Sequence, residues 1–175
     1  MGGSILGTQA IYDFLKHKIK KKFYFINNLK SFTKKQNTNN FLNLIVSKSG
    51  NTTETIVNTN ICVKKKQENI FITENKKSYL HILAQKLKSE IVHHNNYIGG
   101  RYSVLSEVGM LPAELMGLSS NKFKQFNNLI KNKKFLNNLI TNVQAILFFR
   151  KKKKFNSVII NYDEKSTNLF NWYQQ

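Results

Sequence analysis

One stretch of the chain combines hydroxyl side chains, a glycine and a lysine at a point where an apolar run gives way to a helical pattern. It reads Ser47-Lys48-Ser49-Gly50-Asn51-Thr52-Thr53-Glu54-Thr55, and six of its nine residues are Ser, Thr or Asn. A helix N-terminus offers free N–H donors and the positive end of its dipole, and Ser47, Ser49 and Thr52 would add O–H donors around a phosphate. A capped helix start needs only one such side chain. The stretch therefore favours a phosphate site, with an ordinary capped helix as the alternative.

Two further glycine-containing stretches also precede predicted helices. Gly99-Gly100 comes directly before Arg101, one of only two arginines in the chain. A glycine pair lets the backbone approach a ligand and determines where that arginine points, although a surface arginine beside a turn fits the residues equally well. Gly3 and Ser4 follow Met1 and Gly2 before a helical pattern, but a flexible start has the same composition.

The elements that would position these residues alternate between short apolar strands and amphipathic helices. We predict strands over residues 23–27, 41–46, 69–73, 90–92 and 157–162. We predict helices from Ser4 to about Lys16, from Thr53 to about Lys66, over 79–88, over 102–118 with a break or kink at Pro112, as two segments within 121–149, and over 167–175. This alternation is typical of an α/β domain whose mainly parallel sheet is covered on both faces and binds ligands beyond the carboxyl ends of its strands.

Length and composition narrow the class of protein. The chain has 175 residues, of which 41% are hydrophobic and 12% aromatic. This is enough apolar material for one domain with a core, and it argues against a disordered chain. The single cysteine, Cys62, excludes a disulfide framework and a multi-cysteine metal site. The sequence has neither an apolar stretch of roughly 18 residues nor a secretory signal at its start, so we expect a soluble cytoplasmic protein with no membrane partner.

The net charge of +19 arises from 28 Lys and Arg against 9 Asp and Glu. Such an excess of positive charge normally indicates that the partner is nucleic acid or an anionic membrane. Nearly all of these cations are Lys, however, and Asn, Ile and Phe are abundant, which is the composition that an AT-rich genome encodes. Arg, the residue preferred for planar recognition of bases and phosphates, is scarce. We therefore interpret the lysine runs as solvated faces and expect no nucleic-acid partner.

Taken in order, the three stretches resemble the glucose-6-phosphate isomerase (phosphoglucose isomerase) family, and in particular the first of its two sugar-isomerase (SIS) domains. The resemblance rests on Gly2-Gly3-Ser4, on residues 47–55 and on Gly99-Gly100-Arg101-Tyr102-Ser103, and it extends over essentially the whole chain. It implies an α/β fold of the three-layer αβα SIS type over residues 1–175. Because only Met1 precedes the first glycines, we expect the first strand of that domain to be missing.

The resemblance also implies roles for individual residues. Arg101 would stabilise negative charge at the reacting carbons, and contacts to the sugar phosphate would come from Gly3, Ser4, Ser47, Lys48, Ser49, Thr52, Gly100 and Gln175. Members of the family interconvert glucose 6-phosphate and fructose 6-phosphate by proton transfer between C1 and C2 through a cis-enediolate. They use no metal or organic cofactor and are usually homodimers. The Glu that takes the proton lies just past the position of Gln175, so we expect it to be absent here and the chain alone to be inactive.

Other titratable residues lie outside these motifs. We predict that His93 and His94 belong to a polar loop, and we assign no catalytic role to them, to His81, or to Glu107 and Glu114 on the helix after Arg101. Two other functions remain compatible with the sequence. A non-catalytic SIS module would bind a sugar phosphate without needing Arg101, and a basic nucleic-acid-binding protein would account for the charge but for none of the three motifs.

Overall fold

The computed structural model describes residues 3–27, 29, 41–64, 67–154 and 156–175. The chain separates into two compact units. Residues 1–118 with 163–175 form the sheet unit, and residues 119–162 form the helical unit. The single SIS-type domain expected over residues 1–175 stays a prediction.

The described helices and strands follow one another in this order: α1 (Gly3–Phe14), β1 (Leu42–Val46), α2 (Thr53–Cys62), β2 (Glu68–Glu74), α3 (Tyr79–Leu87), β3 (Glu90–His94), α4 (Glu107–Leu115), α5 (Ser120–Phe123), α6 (Asn127–Lys131), α7 (Lys133–Lys151) and α8 (Thr167–Gln174). Short 3₁₀ helices cover Lys16–Lys18, Gly100–Leu105, Lys124–Phe126 and Glu164–Ser166.

The strands of the sheet unit form a parallel sheet in the order β1-β2-β3. Ile45 is in register with Phe71, and Phe71 with Ile91, so these side chains share one face. On that face they pack with Leu80 and Ala84 of α3, and with the partly buried Ile56 of α2. Helix α4 contacts β3 and α1, and α1 in turn packs against α8. A parallel sheet between helices confirms the predicted α/β fold.

Two of the predicted strands are wrong. Residues 23–27 have irregular backbone, and the rings of Phe23 and Phe25 lie against Tyr12 of α1 with centroid distances of 5.9 and 5.4 Å. Their apolar pattern is therefore explained by contact with a helix. Residues 157–162 are irregular as well, with Val158 83% exposed. A run of β-branched residues forms a strand only where its side chains pack against a neighbouring strand and are buried. The strand propensity of the residues is not sufficient by itself.

The helix predicted over 102–118 is divided at Ser106, between the 3₁₀ helix and α4, and Pro112 lies inside α4. Proline lacks the N–H that would bond to the carbonyl of residue 108. The hydroxyl of Thr8 on α1 donates to that Val108 carbonyl oxygen at 3.3 Å. The contact between α1 and α4 thus satisfies the oxygen that Pro112 leaves free. Helix α2 ends at Cys62, earlier than predicted, and residues 65 and 66 lie outside the described residues.

The helical unit contains α5, α6 and α7 with a 3₁₀ turn between the first two. Two amphipathic helices were expected, and the structure divides the first into these shorter segments. Helix α7 is capped by Asn132, whose side-chain oxygen accepts from the Phe135 N–H at 3.2 Å. Leu139 and Ile140 of its apolar stripe are about half exposed. Within the described part of the chain, no helix is both long and apolar enough to cross a membrane.

Candidate functional site

The three parallel strands end at one edge of the sheet, and the segments that follow them carry most of the predicted site. Residues 47–52 follow β1, residues 75–78 follow β2, and residues 95–99 follow β3. In parallel sheets, ligands bind beyond the carboxyl ends of the strands, because the loops after neighbouring strands lie side by side there. The hydroxyl-rich stretch and the glycine pair are therefore both placed at this edge.

A tight turn carries the hydroxyl groups that follow β1. The Ser47 N–H donates to the Ile72 carbonyl at 3.0 Å, and the Gly50 N–H donates to the Ser47 carbonyl at 3.2 Å. Gly50 has a φ of +65°, and a Cβ at this position would lie 2.0 Å from Ser78 Oγ. Both the left-handed backbone and the close approach require glycine.

The hydroxyl groups of this turn are not all exposed. Ser47 is only 4% exposed. Its backbone continues the pairing between β1 and β2, and its Oγ lies 3.0 Å from Thr52 Oγ1. Ser49 and Thr52 are exposed, and Ser49 Oγ accepts from the Asn51 N–H at 3.2 Å. Thr52 is the N-cap residue of α2, but its side chain does not cap that helix. The first turn of α2 thus keeps N–H groups that this hydroxyl does not occupy, as an anion-binding helix N-terminus requires.

Lys48 reaches across the edge of the sheet. Its Nζ donates to the Asn96 carbonyl at 2.8 Å and lies 3.5 Å from the Glu74 carboxylate. Glu74 ends β2, and Asn96 belongs to the segment after β3. Lys48 therefore connects the hydroxyl-rich turn to the segment that leads to Gly99 and Gly100.

The backbone around Arg101 is held by several hydrogen bonds, while its side chain is exposed. The Tyr102 N–H donates to the Gly99 carbonyl at 2.9 Å, and Ser103 Oγ donates to the Gly100 carbonyl at 2.7 Å. The indole N–H of Trp172 on α8 donates to the Arg101 carbonyl at 2.9 Å. Gly99 has a φ of −68°, so the left-handed region is not what glycine provides here. The 3₁₀ helix presents the guanidinium from a fixed backbone.

The start of α1 and the end of α8 meet the same 3₁₀ helix. A Cβ at Gly7 would lie 2.7 Å from the Cβ of Val104 and 3.7 Å from the indole nitrogen of Trp172. Gly3 and Ser4 lie about one turn before Gly7 on α1, and Gln175 lies about one turn after Trp172. The Oε1 atom of Gln175 is buried and has no hydrogen-bond partner among the described residues.

The predicted site residues thus form two groups within the sheet unit. Ser47, Ser49 and Thr52 lie in one turn with Lys48, and the elements that carry Gly3, Ser4, Gly100, Arg101 and Gln175 pack together around Gly7. The bond from Lys48 to Asn96 connects the hydroxyl-rich turn to the segment that precedes Gly99 and Gly100. Where the Arg101 guanidinium lies relative to the hydroxyl-rich turn stays a prediction. Chemically, the arrangement offers hydroxyl and N–H donors, the exposed Arg101 and the partly exposed Lys48, which suit an anionic ligand.

Sequence reasoning missed a contact between a buried histidine and a partly exposed glutamate next to this site. His94 is 2% exposed, and its Nδ1 atom contacts Glu107 Oε1. The same oxygen accepts from the Asn95 N–H at 3.2 Å. Partial burial raises the pKa of Glu107, but the hydrogen bonds and the charge of His94 outweigh this, and the pKa lies below its usual value. Because β3 continues through His94, the predicted polar loop starts later, and strand alternation distinguishes this inward His from its exposed neighbour His93.

Comparison with known proteins agrees with this fold. The crystal structure of a hypothetical protein from Thermus thermophilus shares the fold, with a TM-score of 0.79 at 20% sequence identity over 99% of this chain and 45% of that one. The family model of phosphoglucose isomerase matches residues 1–145. The chain belongs to the phosphoglucose isomerase family.

Curated relatives support the same assignment. Glucose-6-phosphate isomerases of Methanocaldococcus jannaschii and Acholeplasma laidlawii are 33% and 31% identical to this chain over all of its length. The chain spans 47% of each of these proteins, about half of their length.

Proposed function

We propose that these 175 residues are part of a glucose-6-phosphate isomerase and carry the phosphate-binding half of its site. The proposal rests above all on one observation: the bond from Lys48 to Asn96 ties the hydroxyl-rich turn to the segment that leads to Arg101. A small sugar phosphate has an anionic end and a reacting end only several ångströms apart. Two such segments at one sheet edge are suited to bind both ends.

The phosphate would lie at the N-terminus of α2. Thr52 does not cap this helix, so its first N–H groups are available to an anion, and the positive end of the helix dipole favours one. The hydroxyls of Ser49 and Thr52 are exposed at the same turn, and that of Ser47 lies directly behind Thr52. Gly3, Ser4, Gly100 and Gln175 would contact the sugar.

Arg101 would act on the reacting carbons. When a base removes the proton beside the carbonyl, negative charge develops on the enediolate oxygens, and a fixed cation stabilises that charge as it forms. The 3₁₀ helix and the bond from Trp172 hold the Arg101 backbone in place before substrate arrives. Binding of the remote phosphate would hold the reacting carbons against this cation.

The base would be a Glu outside these 175 residues, and no metal or organic cofactor would take part. We infer that the whole enzyme acts in glycolysis and gluconeogenesis as a cytoplasmic homodimer. Residues 1–175 alone would then bind sugar phosphate without converting it. Turnover in an assay coupled to glucose-6-phosphate oxidation would contradict this placement of the base.

Binding is tested by titrating the chain with fructose 6-phosphate and following amide chemical shifts by NMR. Ser47→Ala and Thr52→Ala should each weaken binding by about 1–3 kcal/mol, the usual worth of a hydrogen bond to a charged group. The matched control is Thr141→Ala, which removes an exposed hydroxyl from α7 of the helical unit and should leave the affinity unchanged. Equal losses in all three variants would contradict the proposed phosphate site.

Arg101→Ala separates this enzyme from a non-catalytic sugar-phosphate module. It should weaken fructose 6-phosphate binding while leaving inorganic phosphate binding unchanged, because Arg101 contacts the sugar end. Arg101→Lys should recover only part of the loss, since an ammonium lacks the planar fork of a guanidinium. Fructose 6-phosphate affinity that is insensitive to both changes would favour the module.

A further inference from the structure

The buried His94 and the partly exposed Glu107 lie at the two ends of one segment of the chain. His94 is the last residue of β3, and Glu107 is the first residue of α4. The residues between them, 95–106, include Gly99, Gly100 and the 3₁₀ helix that carries Arg101. The contact between the two side chains therefore closes the loop that presents Arg101.

Two donors converge on one oxygen in this contact. The Nδ1 atom of His94 and the Asn95 N–H both bond to Glu107 Oε1. Glu107 thereby fixes both the ring at the end of the strand and the first peptide of the loop. At the far end of the loop, the Ser106 N–H and hydroxyl both donate to the Ser103 carbonyl, at 3.0 and 2.7 Å.

Space filling alone does not explain an imidazole at position 94. The ring is 2% exposed, and its Nε2 atom is buried without a hydrogen-bond partner among the described residues. An apolar side chain would fill the same volume without leaving a buried polar atom unsatisfied, which is unfavourable. What the imidazole supplies, and an apolar side chain would not, is the Nδ1 donor to Glu107.

We propose that His94 and Glu107 are positioning residues, whose contact sets the direction of the Arg101 turn relative to the sugar end of the ligand. The role of Arg101 in this inference rests on the proposed function. The effect of the His94–Glu107 contact on the order of the turn does not depend on it. Two other bonds hold the loop, from Lys48 to the Asn96 carbonyl and from Trp172 to the Arg101 carbonyl. The contact between His94 and Glu107 holds the two ends of the loop together. A cation that is fixed before the ligand binds requires a loop held in this way.

The first test measures fructose 6-phosphate binding by the 175-residue chain and its variants. His94→Leu nearly keeps the volume but removes the donor. It should weaken binding about as much as Arg101→Ala, roughly tenfold, with no change for inorganic phosphate. The double variant should bind no more weakly than Arg101→Ala alone, because the pair acts through that residue. The proposal would be overturned if the affinity losses of the two single variants multiplied in the double variant. It would also be overturned if His94→Leu lost as much affinity for inorganic phosphate as for fructose 6-phosphate.

Two further variants separate positioning from general destabilisation. His94→Asn places an amide donor near the former Nδ1 position and should recover most of the affinity. His93→Leu changes the exposed neighbour and should leave the affinity unchanged. Failure of His94→Asn to recover any affinity would count against the hydrogen bond as the cause.

The second test does not depend on the proposed function. The Tyr102 and Ser106 amides are hydrogen-bonded within the loop, so their hydrogen exchange reports its order. In His94→Leu these amides should exchange at least roughly tenfold faster, while the Phe71 amide in β2 should be unaffected. If the unaltered chain does not bind fructose 6-phosphate, the proposed function fails, yet this exchange still decides the positioning. Unchanged exchange at both amides would overturn it.

Should His94→Leu fail to fold, Glu107→Ala removes the other partner of the contact. Its side chain is 24% exposed at the first turn of α4, where alanine is readily accommodated. The same faster exchange at Tyr102 and Ser106 is expected, and exchange equal to that of the unaltered chain would overturn the proposal.

Discussion

Residues of the same type have opposite surroundings in the two units. Leu80 on α3 of the sheet unit is 1% exposed, whereas Leu139 on α7 of the helical unit is 48% exposed. Both leucines belong to apolar stripes on amphipathic helices. In the sheet unit the stripe packs on Phe71 and its neighbours in the parallel sheet. The difference shows that an amphipathic pattern selects the face of a helix, while burial depends on what packs against that face.

The largest expected effect tests this comparison directly. Leu80→Ala should lower the free energy of unfolding by about 2–5 kcal/mol, because it leaves a cavity beside Phe71. Leu139→Ala removes the same atoms from an exposed position and should change it by no more than about 0.5 kcal/mol. Urea denaturation followed by far-ultraviolet circular dichroism measures both. Similar losses in the two variants would mean that the α7 stripe is buried in solution.

The tight packing of the sheet unit should extend into α4. A Cβ at Gly109 would lie 2.0 Å from the backbone carbonyl oxygen of Val104, so Gly109→Ala should cost about 3 kcal/mol or more as the 3₁₀ helix is pushed away. Gly117 is the matched control, with a φ of +85° and open space around it. Gly117→Ala should cost only the left-handed strain, about 1–2 kcal/mol. Thermal denaturation gives both values, and the reverse order would contradict the close approach at Gly109.

A smaller difference is expected between two helix caps. Ser78 caps α3 by accepting from the His81 N–H, and Asn132 caps α7 by accepting from the Phe135 N–H. Each cap contributes about 1 kcal/mol to its helix. Ser78→Ala should lower the midpoint of global unfolding, since α3 covers the sheet. Asn132→Ala should reduce the far-ultraviolet circular dichroism of α7 without moving that midpoint, and a shift of equal size would argue that the two units unfold together.

The smallest effect concerns pH. The folded-state pKa of Glu107 lies below its usual value, so this carboxylate contributes stability above its unfolded pKa and loses that contribution as pH falls through the folded pKa. The urea midpoint of the unaltered chain should therefore fall more between about pH 7 and about pH 3 than that of Glu107→Gln. Circular dichroism at both pH values checks this. Identical pH dependences would show that Glu107 is not paired with His94 in solution.

The three strands of the sheet and helices α2 and α3 could be predicted from the sequence, because apolar runs and turn residues both mark them. Residues 23–27 and 157–162 carry the same apolar signal without forming strands. Their pattern shows that apolar side chains are present. It does not show whether a neighbouring strand or a helix such as α1 packs against those side chains. The sequence also could not predict that Pro112 lies inside α4. The carbonyl of Val108 that Pro112 leaves free accepts from Thr8, which is 100 residues earlier in the chain.

The candidate site could be predicted where its residues are neighbours in sequence. The hydroxyl-rich turn with Ser47, Gly50 and Thr52 is one short stretch of the sequence. The contact between His94 and Glu107 could not be found in this way, because it needs both the strand register that turns His94 inward and the placement of α4 against β3. Spacing along the chain predicts local turns, whereas contacts between elements require the fold.

Helix α1 is far in sequence from its partner α8, and this separation affects the order in which the site forms during folding. Bonded side chains of β1 and β2, such as Asn43 and Asn69, are 26 residues apart, whereas Asp13 of α1 and its partner Asn168 on α8 are separated by 155. Closing the longer loop has the larger entropic cost, and contacts of high sequence separation form slowly. We therefore expect the sheet and its crossover helices to form first, and α1 and α8 to dock last. The Arg101 turn, whose carbonyl accepts from Trp172, acquires its final order only in that late step.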